Sequence, residues 1–148
     1  MTSGYGVGCN AFKITEAGGK FTAEQIYANT QMKNHHGGVI LLGDHVYGFD
    51  EGVLKCLELK TGSVVWENRS VGKGSIAYAD GNFVVRSEAN GRSEIALVEA
   101  SPAGYKEKGR FKQPEYGPKS TWAHPVIIGG HLYLRDWETL YCYNVKAK

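Results

Sequence analysis

Three histidines are the residues of this sequence best suited to metal chemistry. His35 and His36 are adjacent, and His124 lies far along the chain. Neutral imidazole is a common metal ligand, and three such ligands leave coordination positions open for water. A zinc, manganese or calcium ion at His35, His36 and His124 would activate water for hydrolysis of a phosphoester or a lactone. The spacing matches no metal-binding motif, so hydrogen-bonded histidines in a polar funnel are the alternative interpretation.

Lys73, Ser75 and Trp122 are candidate residues of a ligand funnel. Each lies at or just before the start of a predicted strand, as the histidines do. We therefore expect all of them to face one funnel. Trp122 would form a wall of a ligand pocket there, whereas Trp66 and Trp137 are expected to pack between neighbouring sheets.

Other polar residues are weaker candidates for chemistry. Asp44, Asp80 and Asp136 are expected on turns that lie away from the funnel. The sequence contains no Gly-x-Ser-x-Gly elbow of the kind that positions a serine nucleophile. No catalytic residue can be assigned from the sequence alone.

The elements that position these residues form a repeat. Residues 37–47, 74–84 and 123–133 each consist of an apolar strand, a turn rich in Gly or Asp, and a second apolar strand. Gly43 and Gly129 are 86 positions apart, which is twice a repeat of about 43 residues. Four-stranded propeller blades have this spacing.

The pattern predicts an all-β chain made of four-stranded antiparallel units, not all of them complete. Residues 37–70 and 74–113 have the length of two full blades, each with strands A to D. Residues 5–30 match strands C and D of a split blade, and residues 123–146 match strands A, B and C of another. Residues 93–99 are expected to form strand C of the second full blade.

The segment from Leu54 to Trp66 resembles the repeat of the PQQ-like β-propeller proteins, with Thr61-Gly62 in the turn before the final strand and Trp66 in that strand. The resemblance covers nearly the whole chain and implies the propeller fold. It implies little about function, because propellers carry unrelated activities. Quinone-dependent dehydrogenases of this family look as if they need an adjacent cysteine pair, which this sequence lacks. PQQ is therefore not an expected cofactor, and a dehydrogenase is the least favoured reading.

Closure of the ring is the main physical problem for a chain of this length. An incomplete propeller exposes apolar sheet faces and unpaired strand edges. We expect a second copy of the chain to cover them, giving a six-bladed homodimer in which strands are exchanged.

Composition limits the partners and the location. The net charge of +2 comes from 17 basic and 15 acidic residues that are interspersed, so nucleic acid is not an expected partner. No apolar run is long enough for a membrane helix, and membrane insertion is not expected. The first residues lack a signal peptide. Two interpretations follow: the chain is cytoplasmic as written, or it is part of a longer parent protein. We favour the second, and an exported or periplasmic parent would fit it.

The three cysteines are expected to be buried structural thiols. Cys9, Cys56 and Cys142 are placed at one position of strand C in three units, and Ala96 is placed there in the fourth. Cysteines in different blades are too far apart to form a disulfide.

Two functions from different classes remain open. The favoured one is a non-catalytic binding or scaffold module that self-associates and holds a small molecule in a polar, histidine-containing funnel. The alternative is the metal-dependent hydrolase described above, so the sequence leaves open whether the protein is an enzyme.

Overall fold

The computed structural model describes residues 1–89, 91 and 94–146, which form four antiparallel sheets in chain order. Each sheet is built from neighbouring strands joined by hairpins. The described strands are β1 (Thr2–Ser3), β2 (Gly8–Ala17), β3 (Lys20–Asn29), β4 (Val39–Leu42), β5 (His45–Asp50), β6 (Val53–Glu58), β7 (Val64–Asn68), β8 (Gly74–Ala79), β9 (Asn82–Ser87), β10 (Glu94–Glu99), β11 (Glu107–Lys112), β12 (Val126–Ile128), β13 (His131–Asp136) and β14 (Thr139–Asn144).

We name the sheets blades I to IV. Blade I is β1–β2–β3, blade II is β4–β5–β6–β7, blade III is β8–β9–β10–β11 and blade IV is β12–β13–β14. The all-β architecture of four-stranded antiparallel blades is therefore confirmed. Ser93, predicted to begin strand C of blade III, lies outside the described residues. The described residues include no helix with the length and apolarity that a membrane crossing requires.

Blade I contains a strand that the sequence pattern did not predict. The two-residue strand β1 pairs with β2 through Thr2 opposite Cys9 and Ser3 opposite Gly8. Two residues cannot show a period-two alternation of apolar and polar side chains, which is the signal that identified the other strands. Blade I therefore has three strands where two were expected.

Tight turns join the strands because glycine supplies the backbone that these turns need. Gly129 and Gly130 join β12 to β13 with φ values of 58° and 75°. Both values lie in the left-handed region, which a two-residue hairpin turn requires and which glycine adopts without a steric penalty.

The core lies between the blades. Tyr47 and Cys56 of blade II are 1% and 0% exposed and face blade III, where the Tyr47 ring lies 4.7 Å from the ring of Phe83. Leu132 and Leu134 of blade IV pack against Ile95 of blade III in the same way. Each sheet is therefore stabilised by the face of its neighbour rather than by a core of its own.

The register of the strands corrects the predicted equivalence at Ala96. Tyr47 pairs with Cys56, and Tyr133 pairs with Cys142. In blade III, the residue at the corresponding distance from the turn is Leu97, which pairs with Val84. Leu97, not Ala96, occupies the position of Cys56 and Cys142, so this position does not require a small side chain.

Cys9 was also placed wrongly. It lies opposite Asn29, as Leu54 lies opposite Asn68 in blade II. Both asparagines accept a hydrogen bond from the backbone N–H two residues later, which supports their equivalence. Cys9 therefore corresponds to Leu54, two residues before the position of Cys56. Both C–D strand pairings contain a bulge, so sequence spacing alone did not predict this shift. All three cysteines are free thiols, and Cys142 is exposed rather than buried.

A buried carboxylate fixes the chain where it passes from blade I into blade II. Asp50, at the end of β5, accepts hydrogen bonds from the backbone N–H of Lys33 at 2.9 Å and from its Nζ at 3.0 Å. Lys55 Nζ lies 2.8 Å from the other carboxylate oxygen. Burial by itself raises the pKa of Asp50, but the hydrogen bonds from Lys55 and Lys33 outweigh it, so the pKa is lowered.

A buried arginine joins blade III to blade IV. Arg86 is 1% exposed, and its guanidinium donates hydrogen bonds to the carbonyls of Arg135 at 2.7 Å and Ala123 at 3.2 Å. The Asp136 carboxylate lies 3.7 Å from the same guanidinium. Burial lowers the pKa of Arg86 and the nearby carboxylate opposes this effect. The buried guanidinium therefore links the two blades through two carbonyls and one carboxylate.

Replacing Arg86 with Met should destabilise the protein by about 3–5 kcal/mol, because two buried carbonyls and a carboxylate would lose their donor. Urea denaturation followed by tryptophan fluorescence at fixed protein concentration would measure this loss. Arg69→Met at an exposed position is the control and should change stability by less than about 0.5 kcal/mol. A loss below about 1 kcal/mol for Arg86→Met would contradict the structural role of this cation.

Replacing Asp50 with Asn should change how stability depends on pH. A carboxylate whose pKa is lowered by folding stabilises the fold above its unfolded pKa, near 3.8, and loses this effect as the pH falls through the folded pKa. The wild-type free energy of unfolding should therefore drop below about pH 4, and the variant should show a shallower drop. At neutral pH the variant should be about 1–3 kcal/mol less stable. Asp44→Asn, on an exposed turn, should leave the wild-type curve unchanged, and parallel curves for all three proteins would refute the assignment.

Candidate functional site

The chain segments that lead into blades II, III and IV meet at one end of the sheets, which we call the mouth. Gly37 lies so close to Gly74 that a Cβ atom on Gly37 would be 2.1 Å from the Gly74 carbonyl oxygen. The Ile76 N–H donates a hydrogen bond of 3.2 Å to the carbonyl of Gly37. Glycine is required at this contact because only a residue without a side chain allows the two backbones to approach so closely.

The mouth brings together His36, Trp122 and His124. The rings of His36 and Trp122 are 4.9 Å apart between centroids and inclined by 33°. The Nε2 atom of His124 lies 2.6 Å from the carbonyl oxygen of His36 and donates a hydrogen bond to it. Since the carbonyl can only accept, this contact places a proton on Nε2 of His124.

His35 is directed away from this cluster. Its Nε2 atom lies 2.8 Å from a carboxylate oxygen of Glu51, and its ring lies 4.5 Å from that of Tyr5. The chain bends at residues 35–37, and the two histidine side chains contact different partners. The ring centroids of the two histidines are 6.3 Å apart.

These contacts do not assemble a metal centre within one chain. Within residues 1–89, 91 and 94–146, no three His, Cys, Asp or Glu side chains are grouped so that they could hold a metal ion. His35 is engaged by Glu51, and the Nε2 lone pair of His124 is not available while that atom is a donor. A zinc, manganese or calcium site at His35, His36 and His124 stays a prediction, as does the hydrolysis that it would support.

The predicted funnel residues have different environments. Lys73 forms an ion pair of 3.1 Å with Glu88, and Ser75 is buried on the side of blade III that faces blade IV. Trp122, by contrast, is 59% exposed. Of these three residues, Trp122 is therefore the one that presents a large free surface to a ligand.

An open cleft of about 520 Å³ adjoins Trp122 on the side of blade IV. Sequence reasoning missed most of its residues, which come from the segment before β12 and from the end of β13. The cleft is lined by Lys119, Ser120, Thr121, Trp122, Ala123, Arg135 and Trp137.

Two sequence-based assignments at this cleft were wrong. Trp137 was expected to pack between blades, but it lies on the turn after β13 and is 45% exposed. Asp136 was expected away from the mouth, yet its carboxylate accepts a hydrogen bond of 2.9 Å from the Thr121 hydroxyl. The reason is that β13 runs antiparallel to β12, so its end returns to the level at which the chain enters the blade.

A signal for this cleft was present in the repeat. The residue directly after the second strand of blades II, III and IV is Glu51, Glu88 and Trp137, respectively. In blades II and III this residue contacts a basic side chain of the preceding segment, His35 or Lys73. In blade IV the ring of Trp137 lies under Lys119, whose Nζ is 5.6 Å from the ring centroid. Alignment of the repeats at this position therefore distinguishes blade IV from the others.

Comparisons with known proteins bear on the fold. No protein-family model matches the chain, and no curated protein matches it in sequence. Among solved structures, the crystal structure of BamB from Moraxella catarrhalis matches with a TM-score of 0.64 at 15% sequence identity. The match covers 92% of this chain and 43% of BamB, so the chain spans less than half the length of that protein. BamB is a PQQ-like β-propeller repeat protein, and at this level of identity the likeness concerns the fold. The four sheets of this chain are blades of the PQQ-like β-propeller fold.

Proposed function

We propose that this chain is a non-catalytic binding or scaffold module whose blades form a closed ring with a second copy of the chain. The observation that carries the proposal is an apolar face of blade IV, which is open although its repeat equivalent in blade II is fully buried. A propeller fold of the BamB type is compatible with a scaffold role.

The open face of blade IV repeats the residues of a covered face. Leu140 is two residues before Cys142, as Leu54 is two residues before Cys56. Leu54 and Cys56 are 0% exposed because blade III covers them, whereas Leu140 is 64% exposed. The equivalence indicates what should cover blade IV, namely the apolar face of another blade.

Blade I offers a face of this kind. Phe12, Ile14 and Phe21 lie on one side of the β2–β3 hairpin. Phe12, Ile14 and Glu16 are two residues apart along β2 and point to the same side, and Phe21 pairs with Glu16. They are 38%, 60% and 75% exposed. The opposite side of the hairpin packs on blade II through Cys9 and Tyr27. Each apolar side chain of this size contributes about 1.5–3 kcal/mol when it is fully buried, so covering both faces would stabilise a dimer strongly.

The missing strands of the end blades are complementary. By comparison with blades II and III, blade I lacks its innermost strand and blade IV lacks its outermost strand. The six-bladed dimer predicted from the sequence would merge blade IV of one copy and blade I of the other into one sheet, whereas covering one open face with the other keeps them as separate, stacked blades. Within a single chain they are separate three-stranded sheets, and the number of blades in the ring stays a prediction.

Replacing Leu140 with Lys should disrupt the dimer, because a charged side chain would be placed in the centre of the interface. We expect wild-type protein to have the mass of two chains by light scattering at micromolar concentration. The variant should shift to the mass of one chain or require at least tenfold higher protein concentration to dimerise.

Val65→Lys is the matched control, since Val65 is a 44% exposed apolar residue on the outermost strand of an internal blade. It introduces the same charge without affecting either open face, so its mass should equal that of the wild type. A wild-type protein that is folded and monomeric across the concentration range would contradict the proposal.

Thiol labelling provides a second, independent test. Cys142 lies on the open face of blade IV, so its labelling should slow at least tenfold as rising concentration drives dimer formation. Cys9 and Cys56 are buried, and burial raises the pKa of both thiols, so they should react slowly at every concentration. Mass spectrometry of the labelled peptides would assign the rates. If Cys142 reacts equally fast in monomer and dimer, the copies associate through some other surface.

A further inference from the structure

The cleft beside Trp122 has the composition of a recognition site. Trp122 and Trp137 line it and are 59% and 45% exposed. Tryptophan and arginine are enriched among residues that dominate binding energy. A volume of about 520 Å³ lies in the range of ligand-binding clefts.

The cleft also contains two basic side chains that have no acidic partner among the described residues. Neither Lys119 nor Arg135 forms a salt bridge with a carboxylate of the described residues. Lys119 lies over the ring of Trp137, and Arg135 Nε donates a hydrogen bond of 3.1 Å to the Trp137 carbonyl. No acidic residue lines the cleft.

The other blades show how this region is neutralised elsewhere in the fold. At the position of Trp137, blade II has Glu51, which lies 2.8 Å from His35, and blade III has Glu88, which lies 3.1 Å from Lys73. Blade IV replaces this carboxylate with an aromatic ring. The replacement leaves a place for an anion that the described residues do not supply.

The backbone at Trp137 is held in a conformation that is unfavourable for a large side chain. Its φ angle is 54°, in the left-handed region, which costs of the order of a kcal/mol for a residue other than glycine. The ring packs against Gly117, where a Cβ atom would be 2.1 Å from the indole. Glu51 at the same position of blade II has a φ angle of 51°, so this backbone belongs to the turn of the repeat, and blade IV places a large aromatic side chain on it.

We propose that this cleft binds an acidic peptide segment that carries an aromatic side chain next to its carboxylates. The inference rests on the proposed binding function and names the class of partner. The aromatic side chain would stack on the indoles of Trp122 and Trp137, and the carboxylates would pair with Arg135 and Lys119. Arginine is suited to this role because its guanidinium donates two parallel hydrogen bonds to a carboxylate.

Single-stranded nucleic acid also combines negative charge with aromatic rings. Its backbone, however, is bound by basic residues that follow a groove over several nucleotides. Here the cleft holds two basic residues, and the basic and acidic residues of the whole chain are interspersed. The observations therefore favour a peptide, and an oligonucleotide is the comparison that can overturn this choice.

Isothermal titration calorimetry with two capped pentapeptides would test the proposal. One has a phenylalanine between an aspartate and a glutamate, with glycine at each end, and the other has asparagine and glutamine in place of the two acids. The acidic peptide should bind at least about tenfold more tightly than its amide isostere, because charge-assisted hydrogen bonds are stronger than neutral ones. Its affinity should fall as salt is raised.

Variants would locate the binding to this cleft. Arg135→Gln and Trp122→Leu should each weaken binding of the acidic peptide several-fold to tenfold. Arg69→Gln, the same change at an exposed arginine outside the cleft, should have no effect. Equal binding of the two peptides, or unchanged binding by both cleft variants, would overturn the proposal. Tighter binding of a thymidine oligonucleotide that is also lost in Arg135→Gln would overturn it in favour of nucleic acid.

Light scattering on the same samples separates this inference from the proposed function. Trp122 lies in the segment before β12, so Trp122→Leu should retain the wild-type mass. Arg135 pairs with Leu140 on the open face of blade IV, so Arg135→Gln is compared with the wild type at concentrations where both proteins have the same mass. A dimer that binds neither peptide would refute the peptide site and leave the ring proposal intact. A monomer that binds the acidic peptide with the expected dependence on Arg135 would support the peptide site and refute the ring proposal.

Discussion

Each sheet of this protein has two apolar faces, and the fold depends on covering them with the faces of neighbouring sheets. Tyr47 and Cys56 are buried because blade III lies on them, and Phe83 supplies the ring that meets Tyr47. None of the sheets has a helix or a second layer of its own to do this among the described residues. The end blades each leave one apolar face open, and these faces are the basis of the proposed ring.

Polar groups at the blade junctions determine how the sheets are oriented. The hydrophobic effect is non-directional, whereas a buried charge must keep its hydrogen-bond partners. Asp50 holds the segment that enters blade II, and Arg86 holds two carbonyls of the segment and strand that belong to blade IV. These interactions fix the ends of the sheets at one level. The mouth, where Gly37 contacts Gly74, is a consequence of this alignment.

The mouth shows how one scaffold position acquires different chemistry in successive repeats. In blades II and III, Glu51 and Glu88 each pair with a basic side chain of the segment that leads into the same blade. In blade IV, Trp137 takes this position, and Lys119 and Arg135 have no carboxylate partner among the described residues. At the proposed binding site the fold is thus unchanged, and an ion pair present in blades II and III is missing. This is consistent with a fold that carries many functions on the same strands.

The sequence by itself determined the all-β class, the repeat and most of the strands, because alternation with period two and glycine turns are local properties of the chain. It could not show the two-residue strand β1, and it misplaced Cys9 and Ala96 because bulges shift the register without changing the alternation. It listed His35 and His36 as one site, although their side chains diverge and only His36 joins Trp122. The position of Trp137 was decided by the tertiary structure, since an antiparallel strand returns its end to the mouth and separates it from the blade interface.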